Sequence, residues 1–442
     1  MGEARIAAIK LLRHIEYENG YSNLVLRARL GEFGLNTRDQ AFCCALVYGV
    51  LERRITLDYV IASHMKIRLS EADPLTLDCL RIGAYQLLFM DRVPVSAAIN
   101  ESVRAVKALG SGQSAGFVNA VLHAIERDGK IIVYPPEKNR KTYLSVKYAC
   151  PQWIVRLWLN AYGAEHTEAL LRAMLGRPPL TVRVNTTRIT ATECAHRLAE
   201  SGVSVHRGPL PDETLELTDT GAVEQLEMYN QGLFHVQDLA SQYCVRILDP
   251  QPGMRVADVC AAPGGKSFTI AERMQNHGRL DAFDLYPKRV ELIASGAARL
   301  GLDCIHASVR DAQSGPVDRQ YDCVLCDVPC SGLGIMRRKP EIRYKSKDML
   351  DNLPDLQYSI LEHTAQMVAS GGRLVYSTCA LNPAENGAVA DRFAKTHPEF
   401  EPAAIDIGLE HYGREPANQL TLMPHLHGTD GFFVAAFRRK DF

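Results

Sequence analysis

The sequence predicts a multidomain chain: an all-α N-terminal domain, a small α+β middle domain and an α/β doubly wound C-terminal domain. Three observations predict it. Up to about residue 130, apolar residues recur at helical spacing and no β alternation interrupts them. Residues 144–240 mix one branched, strand-like run with one helical run. From 241 to 442, branched runs alternate with helical ones across glycine turns, the pattern of a parallel sheet covered on both faces.

The elements follow in order. In "EARIAAIKLLRHI", Ile6, Ile9, Leu12 and Ile15 share one helical face. "LRIGAYQLLFM" is apolar nearly all round and predicts a central helix. "PVSAAINESVRAVKAL" and "GFVNAVLHAIER" supply two more, the first opened by Pro94 and Ser96. "YPPEKNRKTY", residues 134–143, has prolines and charges without period and predicts a linker. Leu180–Thr187 reads as a strand, and "TATECAHRLAESG" as a helix that stops at Gly202. "MRVADVCAAPGGKSFTIAERM" then reads as strand, glycine turn and helix. "LDAFD", "DCIHAS", "YDCVLCDV", "GRLVYSTCAL" and "GFFVAAFRR" are the further strands.

Composition narrows the class. Hydrophobic residues are 46% of the 442, charged residues 23%, and the net charge is -1. Nucleic-acid contact would therefore come from local patches, not a global basic field. No apolar run is long enough for a bilayer, so no membrane is expected. The start of the chain, with Glu3 and Arg5, lacks the apolar core of a signal peptide, and a cytosolic location is expected. The twelve cysteines should then stay reduced.

The glycine turn is the candidate ligand site. "ADVCAAPGGKS" follows a strand and opens a helix, where free N–H groups meet a ligand at the strand ends. Gly264 and Gly265 let the backbone come close. The spacing fits neither a P-loop nor G-x-G-x-x-G. Asp284, twenty residues after Gly264, ends the next strand and can accept from ribose hydroxyls. A nucleoside-bearing cofactor is expected.

Two cysteines sit at strand ends on the same edge: Cys330 in "CDVPCSGLG" and Cys379 in "VYSTCALNPAEN". Metal ligation, core packing and covalent chemistry compete. Cys323 and Cys326 fall on opposite faces of one strand and no second pair has finger spacing, so no metal is expected. Packing accounts for Cys323 and Cys326 better than for Cys330 and Cys379, which turn-forming residues follow.

Together, "DVCAAPGGK", "DVPCSGLG" and "STCALNPAEN" resemble three motifs of the RNA cytosine-5 methyltransferases that use S-adenosylmethionine. "RDQAFCCALVYGVLERR", "LRIGAYQLLFMDRVPVSAAINESV" and "GFVNAVL" resemble the NusB-like domain fused to the RsmB (Fmu, Sun) branch, which methylates small-subunit ribosomal RNA. "LTVRVNTT" and "GLFHVQDLASQ" are similar to its middle region. The resemblance implies a Rossmann-like methyltransferase domain at 241–442 and a NusB-like RNA-binding domain at 1–130. It implies that Cys379 attacks the base, that Cys330 assists product release, and that Asp327 and Lys266 belong to the catalytic set. Cofactor contacts are implied at Cys260, Ala261, Ala262, Pro263, Gly264, Gly265, Lys266, Asp284 and Asp327. The family's acidic residue after the third strand is replaced by Ser308, with Asp311 three residues on, and both are candidates.

The chemistry explains the residue types. A thiolate added to carbon 6 of cytosine breaks its aromaticity and makes carbon 5 nucleophilic. An acid at ring nitrogen 3 would stabilise the developing charge, so Asp327 is expected to be protonated by burial. "MRRKPEIRYKSK", with six basic residues and one acid, follows the Cys330 turn. Arg337, Arg338, Lys339, Arg343 and Tyr344 are its expected RNA contacts. Small-subunit ribosomal RNA is the expected partner and a monomer the expected state. Transfer RNA is the alternative substrate, and a catalytically idle RNA-binding factor the alternative class.

Overall fold

The computed structural model describes residues 2–17, 20–315, 317–413 and 415–441. It divides into two compact units, one of residues 1–176 with 336–345, the other of 177–335 with 346–442.

The first unit is helical among its described residues. Its long helices are Gly2–Tyr17, Thr37–Ser63, Pro74–Phe89, Val95–Ala108, Ala115–Arg127 and Gln152–Ala173. Side chains of Asn36 and Asp73 cap two of them by accepting from Asp39 and Thr76 N–H groups. Helix Pro74–Phe89 is buried along most of its length, as its apolar circumference predicts. At Gly83 an added Cβ would stand 2.5 Å from Leu122, so glycine lets two helices close up. One ion cluster is buried there, Arg81 with Asp58 and Asp78. The unit runs to Gly176, past the boundary expected at 130. Part of the expected linker is helix Arg140–Lys147, tied to the bundle by Thr56 Oγ1 donating to Val146 C=O at 2.5 Å.

Residues 336–345 belong to this unit. Arg343, 1% exposed, donates to the Glu52 and Met174 carbonyls at 2.7 and 2.6 Å. Tyr344 donates to Leu51 C=O at 2.6 Å, and Arg54 covers its ring. Both side chains are thus spent on carbonyls of this unit: Leu51 and Glu52 lie within helix Thr37–Ser63, and Met174 is the C-cap of helix Gln152–Ala173, where a carbonyl lacks an intrahelical donor. Lys339 lies over the Tyr21 ring, and Arg337 and Arg338 are half-buried. Replacing Arg343 by methionine should cost about 1–3 kcal/mol of stability, because the buried Met174 carbonyl at a helix end loses its donor. Thermal unfolding measures this. The salt dependence of RNA binding should stay that of the wild type.

The second unit holds two sheets. The smaller contains β1 (Leu180–Val184), β2 (Ser204–Arg207), β3 (Thr214–Thr218) and β4 (Phe234–Val236). Its order is β2-β3-β1-β4, all antiparallel. The larger contains β5 (Arg255–Asp258), β6 (Arg279–Asp284), β7 (Ile305–Val309), β8 (Tyr321–Asp327) and β9 (Val368–Thr378). β10 (Phe400–Pro402), β11 (Gln419–Leu422) and β12 (Phe432–Arg439) complete it. The order is β10-β12-β9-β8-β5-β6-β7, with β11 on β12. Strands β5 to β9 are parallel, and β12 joins β9 antiparallel. Successive strands step from β5 to β7, then the chain returns to place β8 on the other side of β5. That reversal opens a crevice between the β5 and β8 strand ends. Cys323 and Cys326 pack into the cores on opposite faces of the sheet, as the period of two predicts.

Candidate active site

The crevice is a cavity of about 220 Å³. It is lined by the turn Cys260–Pro263 with Gly265 and Lys266, by Asp258 and Asp327, and by Val236, Gln237, Asp238 and Ser241. The turn has its shape for steric reasons. Gly264 has φ 111°, and a Cβ there would strike the Phe268 ring at 2.4 Å. At Gly265 a Cβ would meet only Gln237 Nε2, at 3.7 Å, an ordinary contact. Helix Gly265–Arg273 starts here and leaves its first N–H groups facing the crevice.

Lys266 Nζ donates to Asp327 Oδ2 at 2.7 Å, and Ser377 Oγ donates to Asp327 Oδ1 at 2.7 Å. Burial pulls the Lys266 ammonium down, but Asp327, Cys244 and Cys379 outweigh it and hold it above the ordinary lysine range. Both Asp327 oxygens thus accept from donors, one of them charged. The neighbour of this carboxyl is an ammonium ion sixty-one residues away in the chain.

Asp258 is the residue the sequence reading missed. It ends β5, is 1% exposed, and accepts from Ser267 at 2.7 Å through Oδ2. Oδ1 has no hydrogen-bond partner of good geometry. Burial pushes this carboxyl up to about 7, with Asp327 adding to it and Ser267 and Lys266 only partly offsetting it. The signal was "VADVC", an acid ending a strand before a glycine turn. Gln237, Asp238 and Ser241 were missed because "HVQDLAS" was read as belonging to the middle region. Gln237 donates to Gly265 C=O at 2.9 Å and accepts from Thr269, so it fixes the turn from outside.

Asp284 ends β6, nearly buried, and accepts from the Ala262 and Tyr286 N–H groups, with Arg289 3.4 Å away. It ties the glycine turn to the next strand. Ser308 lies on β7 opposite Phe283 and is exposed. Asp311 is exposed too, and its carboxylate accepts from Gln313 and Ser314 of its own turn.

The two cysteines meet. Cys330 Sγ and Cys379 Sγ are 3.1 Å apart, both as free thiols. Gly334 N–H donates to Cys379 C=O at 2.9 Å, and Gly431 N–H to Gly334 C=O. A Cβ on Gly334 would stand 1.9 Å from Gly431 oxygen, so only glycine allows this junction. The hydrogen bond to Cys379 and burial hold the Cys330 thiol well above its ordinary range. One edge of the sheet therefore carries a neutral thiol against a second sulfur, a lysine–aspartate pair, and a cavity lined by the buried Asp258 carboxyl.

A Rossmann-like sheet with this crevice, joined to an all-α domain, defines a two-part methyltransferase. Known proteins agree on each part. The 16S rRNA methyltransferase RsmB/F family matches residues 245–438, the NusB family residues 2–127, and the RsmF/B-like ferredoxin-like domain residues 150–224. The chain is 36% identical to a probable ribosomal RNA small subunit methyltransferase B of Bacillus subtilis, over 99% of this chain and 98% of that one. It is 35% identical to one of Synechocystis, over 99% and 100%. The crystal structure of PH0851 superposes with a TM-score of 0.84 at 26% identity, covering 99% of both chains. The chain belongs to the RsmB/F family of methyltransferases, with a NusB-like N-terminal domain.

Proposed function

We propose that this protein transfers a methyl group from S-adenosylmethionine to carbon 5 of a cytosine in small-subunit ribosomal RNA, through a covalent cysteine adduct. The observation that carries this is the 3.1 Å approach of Cys330 and Cys379 beside the Lys266–Asp327 pair. Methyl transfer alone needs no thiol. Two thiols at neighbouring strand ends fit addition to a pyrimidine and later release from it.

The cavity suits a cationic, nucleoside-bearing methyl donor. The buried Asp258 carboxyl lining the cavity can accept from an ammonium group, and the glycine turn admits close approach. Bound there, S-adenosylmethionine would supply an electrophilic methyl group. The protein's own part is the base. Cys379 thiolate adds to carbon 6, and the ring electrons then make carbon 5 nucleophilic. Asp327, as an acceptor, orients the exocyclic amino group of cytosine, while the Lys266 ammonium beside it steadies charge on the ring. When water takes the carbon 5 proton, the electrons of that bond restore the ring double bond, the carbon 6–sulfur bond breaks, and Cys379 leaves as thiolate. Cys330, in contact with that sulfur, eases its departure by donating an S–H hydrogen bond and keeps its own proton. RNA contact through Arg337, Arg338 and Lys339 remains part of this reading. Mapping 5-methylcytosine in ribosomal RNA with and without the gene tests the substrate, and an unchanged ribosomal map with a lost transfer-RNA mark would select transfer RNA.

The Asp258 carboxyl, raised to about 7, makes a pH prediction. An unfolded aspartate titrates near ~3.9, so the folded protein binds the extra proton between about pH 4 and 7. Its contribution to stability is full below ~4 and is lost as pH rises through 7. Asp258→Asn should therefore raise the stability of the ligand-free protein at pH 8 by on the order of 2–4 kcal/mol. In the wild type, calorimetry should show S-adenosylmethionine binding more tightly at pH 7.5 than at pH 6, and Asp258→Asn should flatten that rise.

A further inference from the structure

A buried carboxylate stands between the two thiol turns, and the chemistry above does not use it. Glu385, in the loop after β9, is 0% exposed. Its Oε2 accepts from the Ser331 backbone N–H at 2.8 Å and from Gln357 Nε2 at 3.0 Å. Its Oε1 accepts from Asn382 Nδ2 at 2.9 Å. Gln357 also donates to Pro329 C=O at 3.0 Å. Pro329 and Ser331 flank Cys330 in the chain, so Glu385 and Gln357 together grip the backbone on either side of that thiol. The carbonyl of Glu385 is itself held by Tyr376 OH, at 2.6 Å. Three N–H donors converge on this side chain, which only an acceptor-only carboxylate satisfies; a glutamine would turn its own NH₂ toward one of them.

We propose that Glu385 is a positioning residue that clamps the Cys330 turn against the Cys379 turn and decides which sulfur carries the proton. The inference rests on the two thiol roles proposed above. Its support is geometric, and the electrostatics agree. The groups facing Cys330 are Cys379 and Glu385, whose charges hold its proton on, with Tyr376 alongside and the Gly332 backbone N–H acting the other way. Lys266 faces Cys379 instead. The negative charge of Glu385 thus favours a neutral Cys330 beside a nucleophilic Cys379.

The test is alkylation of the reduced, RNA-free protein with iodoacetamide from pH 6 to 9, read at each cysteine by peptide mass spectrometry. Glu385→Gln should make Cys330 react at a pH lower by about one unit. Its kcat for methyl transfer should fall about 10- to 100-fold with KM for RNA unchanged. Gln357→Leu, which frees Pro329 but keeps the charge, should lower kcat and leave the Cys330 profile in place. A Glu385→Gln protein with a wild-type profile and wild-type kcat overturns the proposal. So does an unaltered kcat in Gln357→Leu, should Glu385→Gln fail to fold. Because alkylation needs no turnover, a shifted profile combined with methylation by Cys379→Ala would keep the clamp and discard the thiol roles.

Discussion

Cys379→Ala is expected to abolish methyl transfer and to form no enzyme–RNA adduct, whereas Cys330→Ala accumulates one. The asymmetry follows from the order of steps. Without Cys379 nothing adds to carbon 6, and carbon 5 stays unreactive. Without Cys330, addition and methylation proceed but the final release slows, and a covalent intermediate builds up whenever its breakdown is blocked. The 3.1 Å sulfur–sulfur contact makes the pair one unit, so both changes act directly at the reacting atoms. A denaturing gel with labelled RNA reads the outcome, and the Cys330→Ala band should require S-adenosylmethionine. An adduct in Cys379→Ala and none in Cys330→Ala would exchange the roles. Full turnover in both variants would return the thiols to packing.

Glu272→Ala should destabilise the second unit by about 3–5 kcal/mol. Glu272, on helix Gly265–Arg273, is almost fully buried and accepts from Arg183 Nε at 2.8 Å. Arg183 is a β1 residue, 1% exposed, and also donates to Glu213 at 2.5 Å. His235 on β4 lies 3.3 Å from the other Glu272 oxygen. Removing the carboxylate leaves a buried guanidinium with half its compensation, which costs more than the pair itself contributes. The double variant Arg183→Met, Glu272→Leu should accordingly be more stable than Glu272→Ala alone in thermal unfolding. A loss below about 1 kcal/mol in the single variant would show the network to be idle. Burial raises the Glu213 carboxyl, but Arg183, Arg273 and Arg246 outweigh it and leave it below the usual range. Its contribution is therefore present above ~4.3 and is lost as pH falls below that value. The same helix carries Gly265 and Lys266, so cofactor affinity should fall along with stability in Glu272→Ala.

The correct readings share a physical origin. Helical period over the first 130 residues, and branched runs ended by glycine turns after 241, report which faces are buried, and burial is what forms these elements. Cys330 and Cys379 were legible as strand-end residues because turn formers follow each of them. What the sequence did not show shares an origin as well. Arg343 and Tyr344 look like an RNA-binding stretch by composition, yet the carbonyls of Leu51, Glu52 and Met174 claim them. A basic run shows charge, and charge does not show which acceptors lie nearby. Asp327 reads as a buried acid until Lys266, sixty-one residues earlier, is seen to donate to it.

By itself the sequence determined the succession of three regions, the glycine turn at 264 and 265, and two thiols that end strands. It could do so because secondary structure and turns depend on neighbours within a few residues. Only the tertiary structure decided that β8 lies between β5 and β9, and this choice sets the site. Strand order brings Asp258 beside Asp327, Cys330 onto Cys379 across forty-nine residues, and Glu385 under both thiol turns. Such contacts join residues whose separation along the chain carries no period. They are fixed by how the sheet closes its core, and the chemistry of each side chain follows from the neighbour that closure supplies.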